Sequence, residues 1–234
     1  MIKTKSEVEK IKQAIGISER AFGEILEFIR VGMSEVEVRD ELERLQYKYG
    51  AKRMAFATIV ATGKNAAKFH HETNDTLIQN GDVLMIDFGC VYEGYHSDIT
   101  RTVFIGKENK EDNNQQELIK IYNIVHEALE KSIATVRDGA TCKAVDAAAR
   151  DVIVAAGYGE NFPHAIGHGL GLEIHEAPRI SFKSDEILQE GMVVTIEPGI
   201  YVEGLGGVRI EQDVLVTEDG CDILTTLPTK LTWI

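Results

Sequence analysis

Four acids in this chain stand where an acid is costly. Asp87 ends the apolar run Val83-Leu-Met-Ile86, and Glu197 ends Val193-Val-Thr-Ile196. Asp98 opens Ile99-Thr-Arg-Thr-Val103, and Glu211 sits in Arg209-Ile-Glu-Gln-Asp-Val214, both strand-like in composition. A carboxylate carried inward by an apolar strand must meet something cationic or stay protonated. Three of the seven histidines crowd Pro163-His164-Ala-Ile-Gly167-His168-Gly169-Leu-Gly171-Leu-Glu-Ile-His175, and Phe69-His70-His71-Glu72 adds a pair. The charge count is informative. Ionised Asp87, Asp98, Glu197 and Glu211 sum to −4, and neutral His168 adds a nitrogen donor without charge. Two divalent cations would neutralise the cluster, one would leave half of its charge buried, and none would force protonation. Alternatively, Arg101, Arg209 or backbone amides cap the acids at strand ends. The glycines do not make a phosphate loop, since no strong strand leads in and no Lys follows. They let the backbone at His168 pass close to a ligand or metal.

The acids are carried by two copies of one phrase, Gly81-Asp-Val-Leu-Met-Ile-Asp87-Phe-Gly89 and Gly191-Met-Val-Val-Thr-Ile-Glu197-Pro-Gly199. An internal repeat decides architecture, and this one extends upstream. Gly32 to Gly50 and Gly139 to Gly157 span the same interval (50 − 32 = 157 − 139 = 18), with Ser34 or Thr141 two places after the first Gly. Ser and Thr there can N-cap a helix that the second Gly ends, and Ser34 with Glu37 forms a capping box. A further helix precedes each. Ser6 and Glu9 make a capping box ahead of Val8, Ile11, Ile15, Phe22, Ile25, Leu26 and Ile29 at helical spacing. Ile121, Ile124, Val125, Ala128, Leu129 and Ile133 repeat that pattern. Each half therefore reads helix, helix, then acid-bearing strands, an α/β (α+β) arrangement.

With 234 residues, 44% of them hydrophobic, the chain can bury a substantial core. The expected organisation is one domain over 1–234, with halves of about 1–106 and 117–234 joined by the polar run 107–117. Net charge is 25 − 38 = −13, which argues against a nucleic-acid partner. Cys90, Cys142 and Cys221 form no CxxC pair and read as packing residues in a reducing compartment. No apolar run approaches membrane-spanning length and no signal peptide opens the chain, so a cytoplasmic protein without membrane contact is expected.

The set Asp87-Phe-Gly, Asp98-Ile-Thr-Arg, Gly167-His168-Gly, Glu197-Pro-Gly and Arg209-Ile-Glu211 resembles the pita-bread metallopeptidases, a family that includes methionine aminopeptidases, aminopeptidase P and prolidase. The resemblance covers nearly the whole chain. It implies a pita-bread fold, two pseudo-twofold-related halves around a central mixed or antiparallel sheet. It implies that Asp87 chelates one metal, that Asp98 and Glu211 bridge both, and that His168 and Glu197 complete the coordination of the other metal. His70 and His175 match histidines that contact substrate or the tetrahedral intermediate. His164, Tyr201 and Arg209 match residues on the proline side of the scissile bond, so the chain leans toward aminopeptidase P and prolidase. Methionine aminopeptidases usually lack that Tyr and that Arg. Aminopeptidase P and prolidase normally carry an N-terminal domain that is expected to be absent here, so the chain would be either a catalytic-domain fragment or a naturally short enzyme. Methionine aminopeptidase activity, argued from chain length, and a non-enzymatic peptide-binding module, argued from the fold alone, are the alternatives.

The expected activity is hydrolysis of the first peptide bond of a substrate with a free N-terminus, Xaa-Pro in particular. Glu197 would shuttle a proton to the leaving nitrogen and His175 would stabilise the oxyanion. Four carboxylates and one imidazole without a thiolate favour manganese as the divalent ion, with cobalt, zinc or iron as alternatives. The family suggests a homodimer.

Overall fold

The computed structural model describes residues 1–234. Thr4 starts the first helix, α1 (Lys5–Phe28), in a capping box with Glu7. The box expected on Ser6 and Glu9 is thus displaced upstream with its spacing kept. Thr4 has the extended backbone of an N-cap, whereas Ser6 already lies inside the helix. The second helix, α2 (Glu35–Lys48), opens on the expected Ser34–Glu37 box. Small strands follow: β1 (Arg53–Met54), β2 (Ile59–Thr62), β3 (Val83–Phe88), β4 (Cys90–Tyr92), β5 (Tyr95–His96) and β6 (Ile99–Phe104).

The second half repeats this order. Asp112 caps α3 (Asn113–Ile133), so the polar run 107–117 is loop only in its first part, and Gln115 is buried. Thr141 caps α4 (Cys142–Ala155). Then come β7 (Gly167–Gly169), β8 (Glu176–Ile180), β9 (Val193–Ile196), β10 (Gly199–Val202), β11 (Gly206–Arg209), β12 (Gln212–Val216) and β13 (Cys221–Ile223). Gly81 and Gly191, the first letters of the two phrases, both have left-handed backbones, φ +93 and +86. That conformation favours Gly and turns the chain into β3 and β9.

All strand pairs are antiparallel, and they form four small sheets, β2-β3-β6, β1-β4-β5, β10-β11 and β13-β12-β9-β7-β8, where one central sheet was expected. The cause of one interruption is visible between the halves. Beside β6, the Thr102 hydroxyl donates to the Arg209 carbonyl (2.9 Å) and accepts from the Arg209 amide (3.2 Å). A side chain takes both backbone groups a ladder would have used, and nearby the Glu211 amide reaches the Thr100 carbonyl of β6 (3.2 Å).

Each helix pair covers its own core. Ile11, Ile15 and Ile25 of α1 and Leu42 of α2 pack with Leu84, Ile86 and Phe88 of β3, where the Phe22 and Phe88 rings stack 5.2 Å apart. Ile121, Val125 and Leu129 of α3 and Val145 and Ile153 of α4 pack with Val194, Ile196 and Val214. Each fully buried aliphatic side chain contributes about 1.5–3 kcal/mol. Cys90 and Cys142 are buried, Cys221 is partly so, and all three are free thiols. No helix is long and apolar enough to cross a membrane.

Candidate metal centre

Each acid arrives at or near a strand end. Asp87 lies in β3, Asp98 immediately precedes β6, Glu197 immediately follows β9, and Glu211 lies between β11 and β12. His168 is the middle residue of β7, and its flanking glycines have a steric cause. A Cβ on Gly167 would stand 1.9 Å from the Thr195 carbonyl oxygen, and one on Gly169 2.4 Å from that of Ala177. Only glycine lets β7 lie this close to its neighbours. The approach delivers the imidazole: His168 Nε2 is 3.5 Å from Asp98 Oδ2 and 3.6 Å from Glu197 Oε1. Its Nδ1 lies 3.0 Å from the Gly169 carbonyl oxygen. That carbonyl can only accept, so the proton belongs on Nδ1 and the Nε2 lone pair faces the acids. Donor atoms of Asp98, His168 and Glu211 all lie within 4.8 Å of one another.

Burial pushes the Asp98 and Glu211 carboxyls well above their usual range, and the neighbouring acids push further. Burial raises Glu197 to about 6. A fifth acid joins them. Asp213 accepts the Asp98 amide (3.3 Å), and burial raises it to about 8. It stands two places after Glu211 in the quoted stretch, and that spacing on a strand was the available signal for it.

Capping by arginine accounts for one acid only. Arg209 forms a buried ion pair with Asp87 Oδ2 (2.5 Å). Arg101 instead gives its donors to the carbonyls of Thr100, Glu211, Leu227 and Pro228 and to the Gln212 side chain, and so staples β6 to the second half and the C-terminal segment. Asp98, Glu197 and Glu211 meet no arginine.

Arg209 also organises the opposite wall. Its Nη1 donates to the Tyr201 hydroxyl (2.9 Å), which lies 2.9 Å from His164 Nε2, while His164 Nδ1 faces the Ala165 carbonyl oxygen (2.8 Å). The only consistent proton placement has Nδ1–H donating to the carbonyl and the Tyr201 O–H donating to Nε2. Burial, then Arg209, lowers His164 to about 3, so it stays neutral, and burial raises Tyr201 to about 12. The loop behind His164 is gripped from α4. Arg150, paired with buried Asp146, donates to the Phe162 (3.0 Å) and His164 (2.9 Å) carbonyls.

The Phe69 ring completes this wall, 5.6 Å from the His164 ring and 5.7 Å from Tyr201. Phe69 was legible only as a neighbour of the His70 pair. On the metal-facing side, the His175 ring stands edge-on to His168 at 4.4 Å, and burial, then His168, lowers its basicity. One cavity of about 580 Å³ connects all of this. Asp87, Asp98, His168, Glu197, Glu211, His70, His175, His164 and Arg209 line it together with Phe69 and Arg179. Tyr201 stands behind, bonded to two of them.

The sequence signature described as metallopeptidase family M24 matches residues 9–218. The chain belongs to metallopeptidase family M24. It is 45% identical over 231 residues to an Xaa-Pro dipeptidase of Pyrococcus furiosus, covering 99% of this chain and 65% of that protein. The fold is that of the pita-bread peptidases. It superposes on the crystal structure of an X-Pro aminopeptidase from Thermotoga maritima with a TM-score of 0.95 at 48% identity, covering 100% of this chain and 65% of the other. An Xaa-Pro dipeptidase from Bacillus anthracis gives 0.95 at 46% identity, with 100% and 64% covered. The chain thus spans somewhat under two thirds of the length of these relatives.

Family M24 implies divalent metal ions, and the residues present fit them. Asp87 Oδ1 is buried without a hydrogen-bond partner, Asp98, Glu197 and Glu211 form no ion pair with an arginine, and the His168 Nε2 lone pair faces them.

Proposed function

We propose that this chain is the catalytic part, a single pita-bread domain, of a dinuclear metal-dependent exopeptidase that cleaves the N-terminal Xaa-Pro bond. The observation that carries this reading is the union of two walls in one cavity. One holds four carboxylates and an imidazole, and the other holds aromatic rings locked by Arg209. Asp87, Asp98, His168, Glu197 and Glu211 would hold the ions. The predominance of oxygen donors favours manganese. When bound, the ions polarise the scissile carbonyl and acidify a water.

The chain's own groups do the rest. Glu197 would carry a proton to the departing nitrogen. His175, kept neutral by burial, would donate to the developing oxyanion, and His70 faces the same space. A proline nitrogen bears no hydrogen, so recognition has to come from the ring. Phe69 and His164 offer it their rings, with Tyr201 packed behind them. A substrate's free amine would bind beside the ligating acids and the ions, which restricts cleavage to the first bond.

Hydrolysis of Ala-Pro, Ala-Pro-Ala and Met-Ala-Ser by the metal-loaded protein tests the assignment. Cleavage of one or both proline peptides is expected, with two ions bound per chain. Preference for Met-Ala-Ser would overturn the specificity, and an inert, metal-free protein the activity. Glu197→Gln should abolish turnover, and activity retained by that variant after metal reconstitution would sink its role.

A further inference from the structure

Glu35 is the first residue of α2, fully buried, and far from the cavity wall in sequence. Its carboxylate is saturated. Oε1 accepts from the Thr62 amide (2.8 Å) and Asn65 Nδ2 (3.0 Å), and Oε2 accepts from His71 Nε2 (2.7 Å) and the Asn74 amide (3.1 Å). All four donors lie in the stretch that runs from the last residue of β2 past the cavity to Thr76. The α2 N-terminus adds two more ties, Glu35 N–H to the Thr76 carbonyl (3.1 Å) and Val36 N–H to that of Asn74 (3.3 Å). Capping the helix needs none of the side-chain bonds, because Ser34 and Glu37 already do that.

His70 sits between two anchors. On one side, Arg209 Nη1 donates to the Phe69 carbonyl (3.4 Å). On the other, the buried His71 side chain is held by Glu35, and its amide closes a turn to the Lys68 carbonyl (3.0 Å). His70 itself makes only a ring contact with Phe69, at 4.5 Å, yet it lines the cavity. Its direction is therefore set by its neighbours.

We propose that Glu35, bonded to His71, is a positioning residue that aims His70 at the substrate. This rests on the reading of the cavity as a peptidase site with His70 facing the substrate. Glu35→Gln sets its NH₂ against a backbone donor whichever way it is placed, the Thr62 or the Asn74 amide, so at least one loop bond is lost. His71→Leu removes the one bond and keeps the bulk, leaving Glu35 its other three donors.

The test is a double-mutant cycle on the metal-loaded protein with Ala-Pro and Ala-Pro-Ala, combined with crystal structures of the variants. Glu35→Gln and His71→Leu are expected to lower kcat/KM by about 10- to 100-fold, mostly in kcat, at unchanged metal content. In a His70→Ala background the same changes should cost little further, because the group they aim is gone. An equal fold-loss in both backgrounds would assign Glu35 to general stability and overturn the proposal. So would a His70→Ala protein as active as its parent. Should the parent cleave neither proline peptide, the peptidase reading fails, and the crystal structures still decide the pair. A His70 ring displaced from the cavity in His71→Leu supports it, and an unmoved ring refutes it.

Discussion

Deleting one oxygen at Tyr201 tests how the proline-side wall is held. Tyr201→Phe removes the acceptor of Arg209 Nη1 and the donor to His164 Nε2, each at 2.9 Å, while keeping the ring and its contact with Phe69. Two buried polar groups lose a partner, at about 1–3 kcal/mol each. Arg209 retains Asp87, the Thr100 hydroxyl and the Phe69 carbonyl, and His164 borders the cavity, so water can reach it. The total should therefore lie near the low end, about 2 kcal/mol. Urea unfolding of the metal-loaded protein measures it, with Tyr158→Phe as control. Tyr158 is a partly exposed tyrosine bonded to Glu117 and Lys120, and its loss should stay within about 0.5 kcal/mol. With His164 free to turn, kcat/KM on Ala-Pro should fall about tenfold, the equivalent of about 1.4 kcal/mol. A Tyr201→Phe protein as stable and as active as its parent would show that the hydroxyl joins nothing, and the argument from the bonded wall would be wrong.

Three other outcomes follow from the same geometry. Asp98, Glu197, Glu211 and Asp213 bind protons more tightly folded than unfolded, so metal-free stability must fall as pH rises from about 4, the unfolded carboxyl range, through about 6 for Glu197 to about 8 for Asp213. The urea midpoint in chelator should be higher at pH 5 than at pH 8, with manganese at pH 8 closing the gap, and a midpoint that rises with pH would contradict this. His168→Ala should lower bound metal, measured by elemental analysis, without unfolding the chain, and full occupancy would remove His168 from the centre. Gly167→Ala drives a Cβ into the Thr195 carbonyl and should cost at least about 3 kcal/mol, whereas Gly16→Ala, inside α1 with open space at its Cβ, should gain up to about 1 kcal/mol in thermal or urea unfolding.

What could be read in advance depended on whether the cause was local. The Ser34–Glu37 box, the Thr141 cap and the turn glycines at Gly81 and Gly191 act within a few residues, so composition and spacing reveal them. The acids were legible because an ionisable group at the end of an apolar strand violates a simple cost. The sheet breaks were not, since they depend on the Thr102 hydroxyl meeting Arg209 across 107 positions. Arg150 and Glu35 were invisible as parts of a site for the same reason. Each acts on a loop or strand that only the folded chain brings near. The cap expected at Ser6 is a different kind of miss, because Thr4 and Glu7 have the same spacing as Ser6 and Glu9 and form the box instead.

The seam between the halves explains why the acids sit where they do. Thr100, Arg101, Thr102, Arg209 and Glu211 are all buried there, although well-packed apolar residues would often be at least as stable. A hydrophobic seam would close the halves on each other and leave no place for charge. The polar seam holds Glu211 through the Thr100 hydroxyl (2.8 Å), while that hydroxyl also takes Arg209 Nε (3.0 Å) and Arg209 crosses to Asp87. One half contributes Asp87 and Asp98, and the other contributes His168, Glu197, Glu211 and the guanidinium that crosses between them. Neither half alone assembles the full set of donors. The repeat therefore supplies two similar frames, and the asymmetry that chemistry needs comes from His168 and Arg209, which belong to the second half alone.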